Sequence, residues 1–464
     1  MGIIMNHGLS KIGARTKLVA GALALALATL SHASTTLVGG GATLPAIGYT
    51  GTGAETNHQV FPAGAGSLFA VYSAISGNPT VSYCQTGSGA GKNILSLVSG
   101  TSVQTACTPN ASGTFLGFGA NASGVGRSDL TQPNFAAADS PLAQSDFSNY
   151  TTNHASGDLP VQFPSVAGAI SIGMNKTTAL GVALSNANTN FTDAQVCLIF
   201  SGQATDWSDS RLATAFTLGS GDSVSGAIAV QYRSDGSGTS FGFSNHLSDV
   251  CGGTASAHFV TSQTFYSSTA PSSSVVGLFL PILPSNWTGS SGNPAVASAI
   301  LATAGSIGYV ETANSKAAGV KFAKVNGQDP EANFGGTKFV VSSSGTGANL
   351  VFNEVINGAD ATTGRPVLSA ISPVPATSCI ALVDPDAYAD PSTGYPIMAV
   401  SYLLGNAKGN GTDLANTQSL LGAPYNSAIT GSRSLTQFGT NTGLELLNTG
   451  TSITTSTVSA CLVN

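Results

Sequence analysis

Residues 80–98 read TVSYCQTGSGAGKNILSLV. Thr80–Cys84 is a short β-rich run, and Ile94, Leu95 and Val98 are the apolar face of a helix. Between them lies the glycine-rich turn Gly87-Ser88-Gly89-Ala90-Gly91-Lys92. The unit is strand, turn, helix, and the rest of the chain repeats its logic. Further β-rich runs occur at Ala169–Met174, Ala227–Tyr232, Ile307–Val310 and Phe339–Val341. Helical stripes lie between them. Leu68, Val71, Tyr72 and Ile75 share one face, and Phe243, Leu247, Val250 and Cys251 share another. Thr192 and Gln195 form a capping box ahead of the apolar Val196–Phe200. Alternating strands and helices predict an α/β fold with largely parallel sheets. Residues 100–130 and 405–460 are rich in Gly, Ser, Thr and Asn and read as loops with short elements.

Two more turns resemble the first. Gly39-Gly40-Gly41-Ala42-Thr43-Leu44-Pro45 places Pro45 at the first position of a helix. Arg233-Ser234-Asp235-Gly236-Ser237-Gly238-Thr239 joins the strand ending at Tyr232 to the Phe243 helix. A helix start leaves N–H groups free and carries partial positive charge. Glycine lets an oxyanion approach the backbone, and a hydroxyl adds a donor. One such turn alone is an ordinary N-cap. Three of them, one carrying an arginine, point to an anion site that needs few cations.

The composition narrows the alternatives. Of 464 residues only 8% are charged, with 15 Lys+Arg against 21 Asp+Glu. Lys11, Arg15 and Lys17 precede the apolar run Leu18–Leu30, and small residues follow at Ser31 and Ala33. That is the layout of a signal peptide over residues 1–33, cleaved after Ala33. The run is too short for the ~20 residues of a membrane span. Beyond the leader, 12 basic residues face 21 acidic ones. Nothing there makes an electrostatic footprint for nucleic acid or anionic lipid. With 42% apolar residues and only 20 prolines the chain reads as packed, and its length suits two domains.

Six cysteines in an exported chain suggest three disulfides among 15 possible pairings. Pairing sequence neighbours would give 84–107, 197–251 and 379–461. The cysteines and the scattered His58, His154, His246 and His258 show no metal-ligand spacing. Thr86–Asn93 imitates a P-loop but lacks its first glycine and its metal-binding hydroxyl, so no nucleotide or other cofactor is implied. Ser88 and Ser237 lie outside any G-x-S-x-G and have no base nearby in the sequence.

The glycine turns, with other short motifs, resemble the phosphate-binding proteins of bacterial phosphate ABC importers, nearest to their DING subgroup. The matching stretches are GGGATLP (39–45), FAAADSPL (135–142), VQFPSVAG (161–168), FSGQATDW (200–207), YRSDGSGT (232–239), GSIGYVE (305–311) and GYPI (394–397). They span nearly all of the chain beyond the leader. The resemblance implies a periplasmic binding protein fold of type II, a Venus flytrap of two α/β lobes. Residues 34–163 and 397–464 would form one lobe and 164–396 the other. Hinge crossovers would lie near Gln162–Ser165 and Tyr395–Ile397, with inorganic phosphate in the cleft. Carried over by position, Thr43, Leu44, Ser88, Arg233, Ser237, Gly238 and Thr239 bind phosphate. Asp139 accepts the ligand's proton, and Asp235 supports Arg233. Ala138 departs from the family's common serine. Gly126-Arg127-Ser128-Asp129 is a second stretch that could supply the acid, but Phe135 and Pro141-Leu142 favour Asp139.

Chemistry agrees with these roles. A buried oxyanion needs a full set of donors, and an arginine supplies a bidentate pair. A carboxylate beside an anion is useful only if the anion carries a proton, as HPO4(2−) and H2PO4(−) do and sulfate does not. The reading is a non-enzymatic, monomeric receptor in the periplasm or medium that delivers phosphate to an ABC permease. Its competitors are a secreted phosphatase and an extracellular surface or matrix protein built on the same fold.

Overall fold

The computed structural model describes residues 36–51, 59–98, 127, 129–175, 189–220, 222–334, 349–375 and 378–464. The leader at 1–33, the Phe339–Val341 run and Cys107 lie outside the described residues. Nine strands set the frame: β1 (Leu37–Gly41), β2 (Gln59–Val60), β3 (Val81–Gln85), β4 (Phe135–Ala138), β5 (Pro160–Met174), β6 (Ala229–Arg233), β7 (Thr288–Ser290), β8 (Ser306–Glu311) and β9 (Met398–Asn406). They run side by side in the order β2-β3-β1-β4-β9-β5-β8-β6-β7. Lys321–Val325 and Leu444–Leu446 also pair with β5.

The sheet is mixed, which corrects the expectation of largely parallel strands. β1 lies parallel to β3 and β4, and β6 lies parallel to β7 and β8. Between these two trios β5 and β9 run antiparallel, from Pro160↔Asn406 to Met398↔Ala169. All 15 residues of β5 are buried. A strand buried on both faces reads as one apolar run whichever way its neighbour points, so its sequence carries no record of direction. From Ile170 onward β5 changes partner and pairs with β8.

Five helices start where these strands end. They are α1 (Ala46–Thr50) after β1, α2 (Ser88–Leu95) after β3, α3 (Gly238–Val250) after β6, α4 (Asn293–Ala302) after β7 and α5 (Thr312–Ala318) after β8. The C-terminal ends of strands in an α/β sheet are where ligands bind. The stripe on Leu68–Ser73 buries Leu68, Val71 and Tyr72, while Ile75 falls past the helix end and is partly exposed. The Thr192/Gln195 capping box closes as expected, with each side chain bonded to the other's backbone N–H. α3 buries Phe243 and Leu247, but its first ten residues are buried on every side, a wider contact than one stripe.

The core under the site is aromatic. Tyr49 stacks on Phe69 at 4.9 Å between centroids, and Phe69 meets Phe135 edge-on at 5.6 Å. Tyr309 of β8 stacks on Phe243 of α3 at 4.5 Å. Trp207 is buried, and its Nε1 donates to the Gly305 carbonyl at 2.9 Å. Disulfides join Cys197 to Cys251 and Cys379 to Cys461, as sequence-neighbour pairing expects.

Candidate functional site

The first glycine turn is set by close packing. Gly41 has φ +130°, and a Cβ there would lie 2.1 Å from the Ala137 carbonyl oxygen. Only glycine lets β1 turn against β4 in this way. The Tyr83 hydroxyl donates to the Ala42 carbonyl at 2.7 Å and holds the turn from below. Thr43 and Leu44 follow, both fully buried. α1 has five residues and starts one position after Pro45. The first turn therefore contributes backbone and hydroxyl donors rather than a developed helix dipole.

Asp139 follows β4 directly and is fully buried. It caps no helix, because the next one begins at Gln144. Ser401 Oγ on β9 donates to its Oδ1 at 2.7 Å. Ser88 Oγ, at the start of α2, accepts from the Asp139 N–H at 3.0 Å and donates to Oδ2 at 3.3 Å. The Leu44 N–H also bonds the carboxylate. Burial pushes the Asp139 carboxyl up to about 6, against the pull of these donors and of Arg233. The acid is therefore ionised at neutral pH, though only by a small margin.

The third turn faces it. Arg233 is fully buried at the end of β6. Its Nε and Nη2 donate to the two oxygens of Asp235 at 2.7 and 2.5 Å, and its Nη1 donates to Thr239 Oγ1 at 3.2 Å. Of five guanidinium hydrogens, one on each terminal nitrogen is left without a protein partner among the described residues. Burial alone would raise Asp235, but the guanidinium holds it below the usual carboxylate range. The Tyr309 hydroxyl accepts the Arg233 N–H at 3.1 Å and pairs with Ser240 Oγ at 2.6 Å, which ties the strand end to α3. Ser237 caps α3, accepting the Ser240 N–H at 3.0 Å. The N–H groups of Gly238 and Thr239 precede the first intrahelical bond.

The turns meet. The Gly89 N–H donates to the Gly236 carbonyl at 2.8 Å. A Cβ on Gly238 would lie 2.3 Å from the Asp139 Cβ and 2.6 Å from Ser88 Oγ. Thr43, Leu44, Ser88, Asp139, Arg233, Asp235, Ser237, Gly238 and Thr239 thus surround one buried point. Asp129, the other candidate acid, is 62% exposed and pairs with Arg127. Lys92 of the P-loop imitation is turned away, bound to Asp146 Oδ2 and the Pro141 carbonyl, each at 2.8 Å. Ser88 has no base nearby in the sequence, and folding brings the Asp139 carboxylate, 51 positions away, within hydrogen-bond reach of it.

Four further residues complete the site. Asn293, the first residue of α4, contacts both Thr43 and Thr239. Glu311 ends β8 and accepts the N–H groups of Ala313 and Asn314 at 2.7 and 2.8 Å. Burial pushes Glu311 up to about 8. The Asn314 side chain donates to Glu311 and to the Thr43 carbonyl at 3.2 Å. Ser401 is the fourth. Gly292-Asn293-Pro294 and the GSIGYVE string were the available sequence signals for the first two; Asn314 and Ser401 had none. What results is a cluster of N–H and O–H donors around three carboxyl groups, of which Asp235 is taken by Arg233 and Glu311 by backbone N–H groups and Asn314, while Asp139 lies beside the turns with Ser401 and Ser88. Among the described residues no group of three His, Cys, Asp or Glu is arranged to hold a metal ion.

Residues 45–416 match the PBP superfamily domain. A protein named alkaline phosphatase L from Pseudomonas aeruginosa PAO1 is 30% identical over 321 residues, covering 68% of this chain and 67% of that protein. A phosphate-binding protein from Stenotrophomonas maltophilia superposes with a TM-score of 0.52 at 23% identity, over 92% of this chain and 93% of that one. A high-affinity periplasmic phosphate-binding protein of the DING type, solved with phosphate, gives 0.53 at 19% identity, over 92% of each chain. The fold is that of the type II periplasmic binding proteins.

Proposed function

The chain belongs to the PBP superfamily, and from that premise we propose that it captures inorganic phosphate at the buried point between the three glycine turns. The observation that carries this reading is the mixture of donors with the buried acid Asp139 beside the three turns; the other two acids there are occupied, Asp235 by Arg233 and Glu311 by the start of α5. Asp139 stands opposite Arg233 where an anion's oxygens would lie, and only an anion with a proton satisfies it. Thr43, Leu44, Ser88, Ser237, Gly238 and Thr239 supply or orient the remaining donors, and Asp235 orients Arg233.

Residues 34–163 with 397–464 form one lobe in this reading, and 164–396 form the other. β5 is one crossover, and the segment Tyr395–Ile397 before β9 is the return. β5 keeps its pairing with β9 through Ala169 and changes partner at Ile170, which supports a passage between two lobes a few residues beyond Ser165. The contact between Gly89 and Gly236 is then the closed state of the cleft. The protein acts as an exported monomer that hands phosphate to an ABC permease. The disulfides favour an oxidising compartment, and no helix among the described residues is long and apolar enough to cross a membrane. Calorimetric titration of ligand-stripped protein with phosphate and with sulfate tests the reading. Tight phosphate binding with much weaker sulfate binding is expected; equal or absent binding rejects it.

A phosphomonoester hydrolase is the second reading. The name of the Pseudomonas relative and the 3.3 Å Ser88–Asp139 pair, a hydroxyl beside a carboxylate, both favour it. Release of nitrophenol from nitrophenyl phosphate, lost in Ser88→Ala and Arg233→Ala, would establish it. A rate unchanged by either substitution would reject it.

A further inference from the structure

Residues 349–375 and 378–383 lie within the second lobe in the division proposed above, yet they are fastened on the first. Leu350–Phe352 pairs antiparallel with Ala381–Val383, and Cys379, just before the latter strand, is joined by its disulfide to Cys461. Gln162 on β5 donates its N–H to the Cys379 carbonyl at 2.9 Å and its Nε2 to the Ala381 carbonyl at 3.0 Å. The Val383 N–H donates to the Tyr402 hydroxyl of β9 at 3.2 Å. Between these strands Glu354–Ala359 and Pro366–Ala370 form a hairpin, and the Ile356 N–H donates to the Leu142 carbonyl at 3.0 Å. Leu142, Gln162, Tyr402 and Cys461 all belong to the first lobe.

The far end of the hairpin reaches the second lobe. Its turn is built from within: Asp360 Oδ1 accepts the N–H groups of Thr362 and Thr363 at 2.9 and 2.8 Å, and the Gly364 N–H donates to the Asp360 carbonyl at 2.8 Å. Gly364 has φ +72°, and a Cβ there would collide with the Phe259 carbonyl oxygen, so only glycine seats the turn against that segment. The Thr261 N–H donates to the Gly364 carbonyl at 2.9 Å. Beside it Arg365 donates to the Asn245 carbonyl and to Ser248 Oγ, both on α3, and pairs with Asp386 and, at 3.7 Å, with Asp249. A cation at the end of a helix is favourable there, and α3 is the helix that starts at Gly238 and Thr239.

We propose that this segment is a strap: fixed to the first lobe, it clips onto the second through Gly364 and Arg365, holds the cleft shut and slows escape of the ligand. The inference rests on the two-lobe reading and adds to it a closing device remote from Asp139 and Arg233. The two ends of the strap are unequal. The first-lobe end is held by a disulfide and by strand pairing, which survive a hinge motion. The second-lobe end is held by one backbone bond and one partly exposed arginine. A lobe that swings away about β5 must break that clip. The clip's contacts therefore belong to the shut form alone, and only contacts that differ between two forms shift the balance between them.

Two substitutions release the clip and lie away from the three glycine turns. Arg365→Ala removes the bonds to α3, and Gly364→Val keeps the turn from seating. The measurement is hydrogen exchange in ligand-free protein, followed in the segment that holds Gly89, whose N–H is bonded across the cleft to the Gly236 carbonyl. Exchange there should quicken about tenfold in each variant, the scale of losing one charge-assisted bond, while β5 and β8 exchange as in wild type. Release of inorganic phosphate, followed by stopped-flow, should quicken by a similar factor. Unchanged exchange at Gly89 overturns the proposal. So does a rise spread evenly over the molecule, which would make the contact general structural support. If Gly364→Val fails to fold, Arg365→Ala decides. A wild type that binds no phosphate, with the rise still confined to the cleft, keeps the strap and rejects the phosphate reading. Tight phosphate binding with exchange unmoved in the variants does the reverse.

Discussion

Replacing Asp139 with asparagine exchanges one buried carboxylate oxygen for an N–H2 group at almost constant volume. In the native site Ser401, Ser88 and the Leu44 N–H already donate to this carboxylate. In the proposed reading what remains of it faces the ligand. Phosphate brings a proton and gains a charge-assisted bond, worth about 1.5–3 kcal/mol. Sulfate brings none and sets oxygen against oxygen. HPO4(2−) and sulfate carry the same charge, so the difference lies in this one contact: a charge-assisted bond gained by phosphate, against a buried charged acceptor left unpaired by sulfate at about 1–3 kcal/mol. A net difference of about 3–4 kcal/mol corresponds to a preference of about 10²–10³ for phosphate. With the amide in place the penalty vanishes, because N–H2 donates to sulfate as readily as Asp139 accepts from phosphate. Ser88 and Ser401 are hydroxyl rotors and can turn to suit the new group. Titration of wild type and Asp139→Asn with both anions at pH 7.5 reads the ratio directly. The ratio should collapse to within about tenfold, mostly through a gain in sulfate affinity. A variant that stays folded and keeps the wild-type ratio refutes the argument that this carboxylate checks for a proton.

Arg233→Lys keeps the charge but loses the planar fork that serves Asp235, Thr239 and the ligand together, and phosphate affinity measured by calorimetry should fall at least about 100-fold. Gly238→Ala would place a methyl 2.3 Å from the Asp139 Cβ and 2.6 Å from its Cα; neither atom can move away freely, so thermal melts should show a loss of about 1–3 kcal/mol, together with weaker phosphate binding. The ligand-free protein should lose stability as pH rises from 4 to 8. The folded carboxyls of Asp139 and Glu311 lie at about 6 and about 8, above their ordinary 3.8 and 4.5, so the native state holds protons that the unfolded chain has released. Their contribution is complete below the ordinary values and is lost as pH passes the folded ones. Scanning calorimetry across that range checks this, and Glu311→Gln should flatten the slope between pH 4.5 and 8; a melting temperature that rises over the range would contradict it.

The sequence made some parts of this molecule legible and hid others for physical reasons. The three glycine turns could be read because glycine, hydroxyl and strand-end patterns are local, and the structure gathers them at one place. Asp139 could be separated from Asp129 by its neighbours, and in the structure Asp139 is buried among the turns while Asp129 is exposed. Strand direction could not be read, because β5 and β9 are buried throughout. Asn293, Glu311, Asn314 and Ser401 stayed hidden for a different reason. They touch Thr43, Asp139 or Thr239 from far along the chain, with Asn293 and Thr43 separated by 250 positions, and a lone asparagine or serine carries no local signal of such a partner. Ser88 looked isolated from any base until β4 placed a carboxylate beside it.

This division explains how so few cations could hold a divalent anion. One arginine faces the pocket, and part of its charge is spent on Asp235. The remaining recognition comes from neutral donors, whose hydrogens must be aimed because hydroxyls rotate freely and accept as easily as they donate. The hidden residues are among those that touch them. Asn293 bonds both Thr43 and Thr239, while Ser401 and Ser88 donate to Asp139. Charge attracts anions of every kind, but fixed donor and acceptor directions distinguish a protonated tetrahedron from a bare one. In the proposed reading the glycine turns make room for the ligand, and the buried amides and hydroxyls behind them set which one fits.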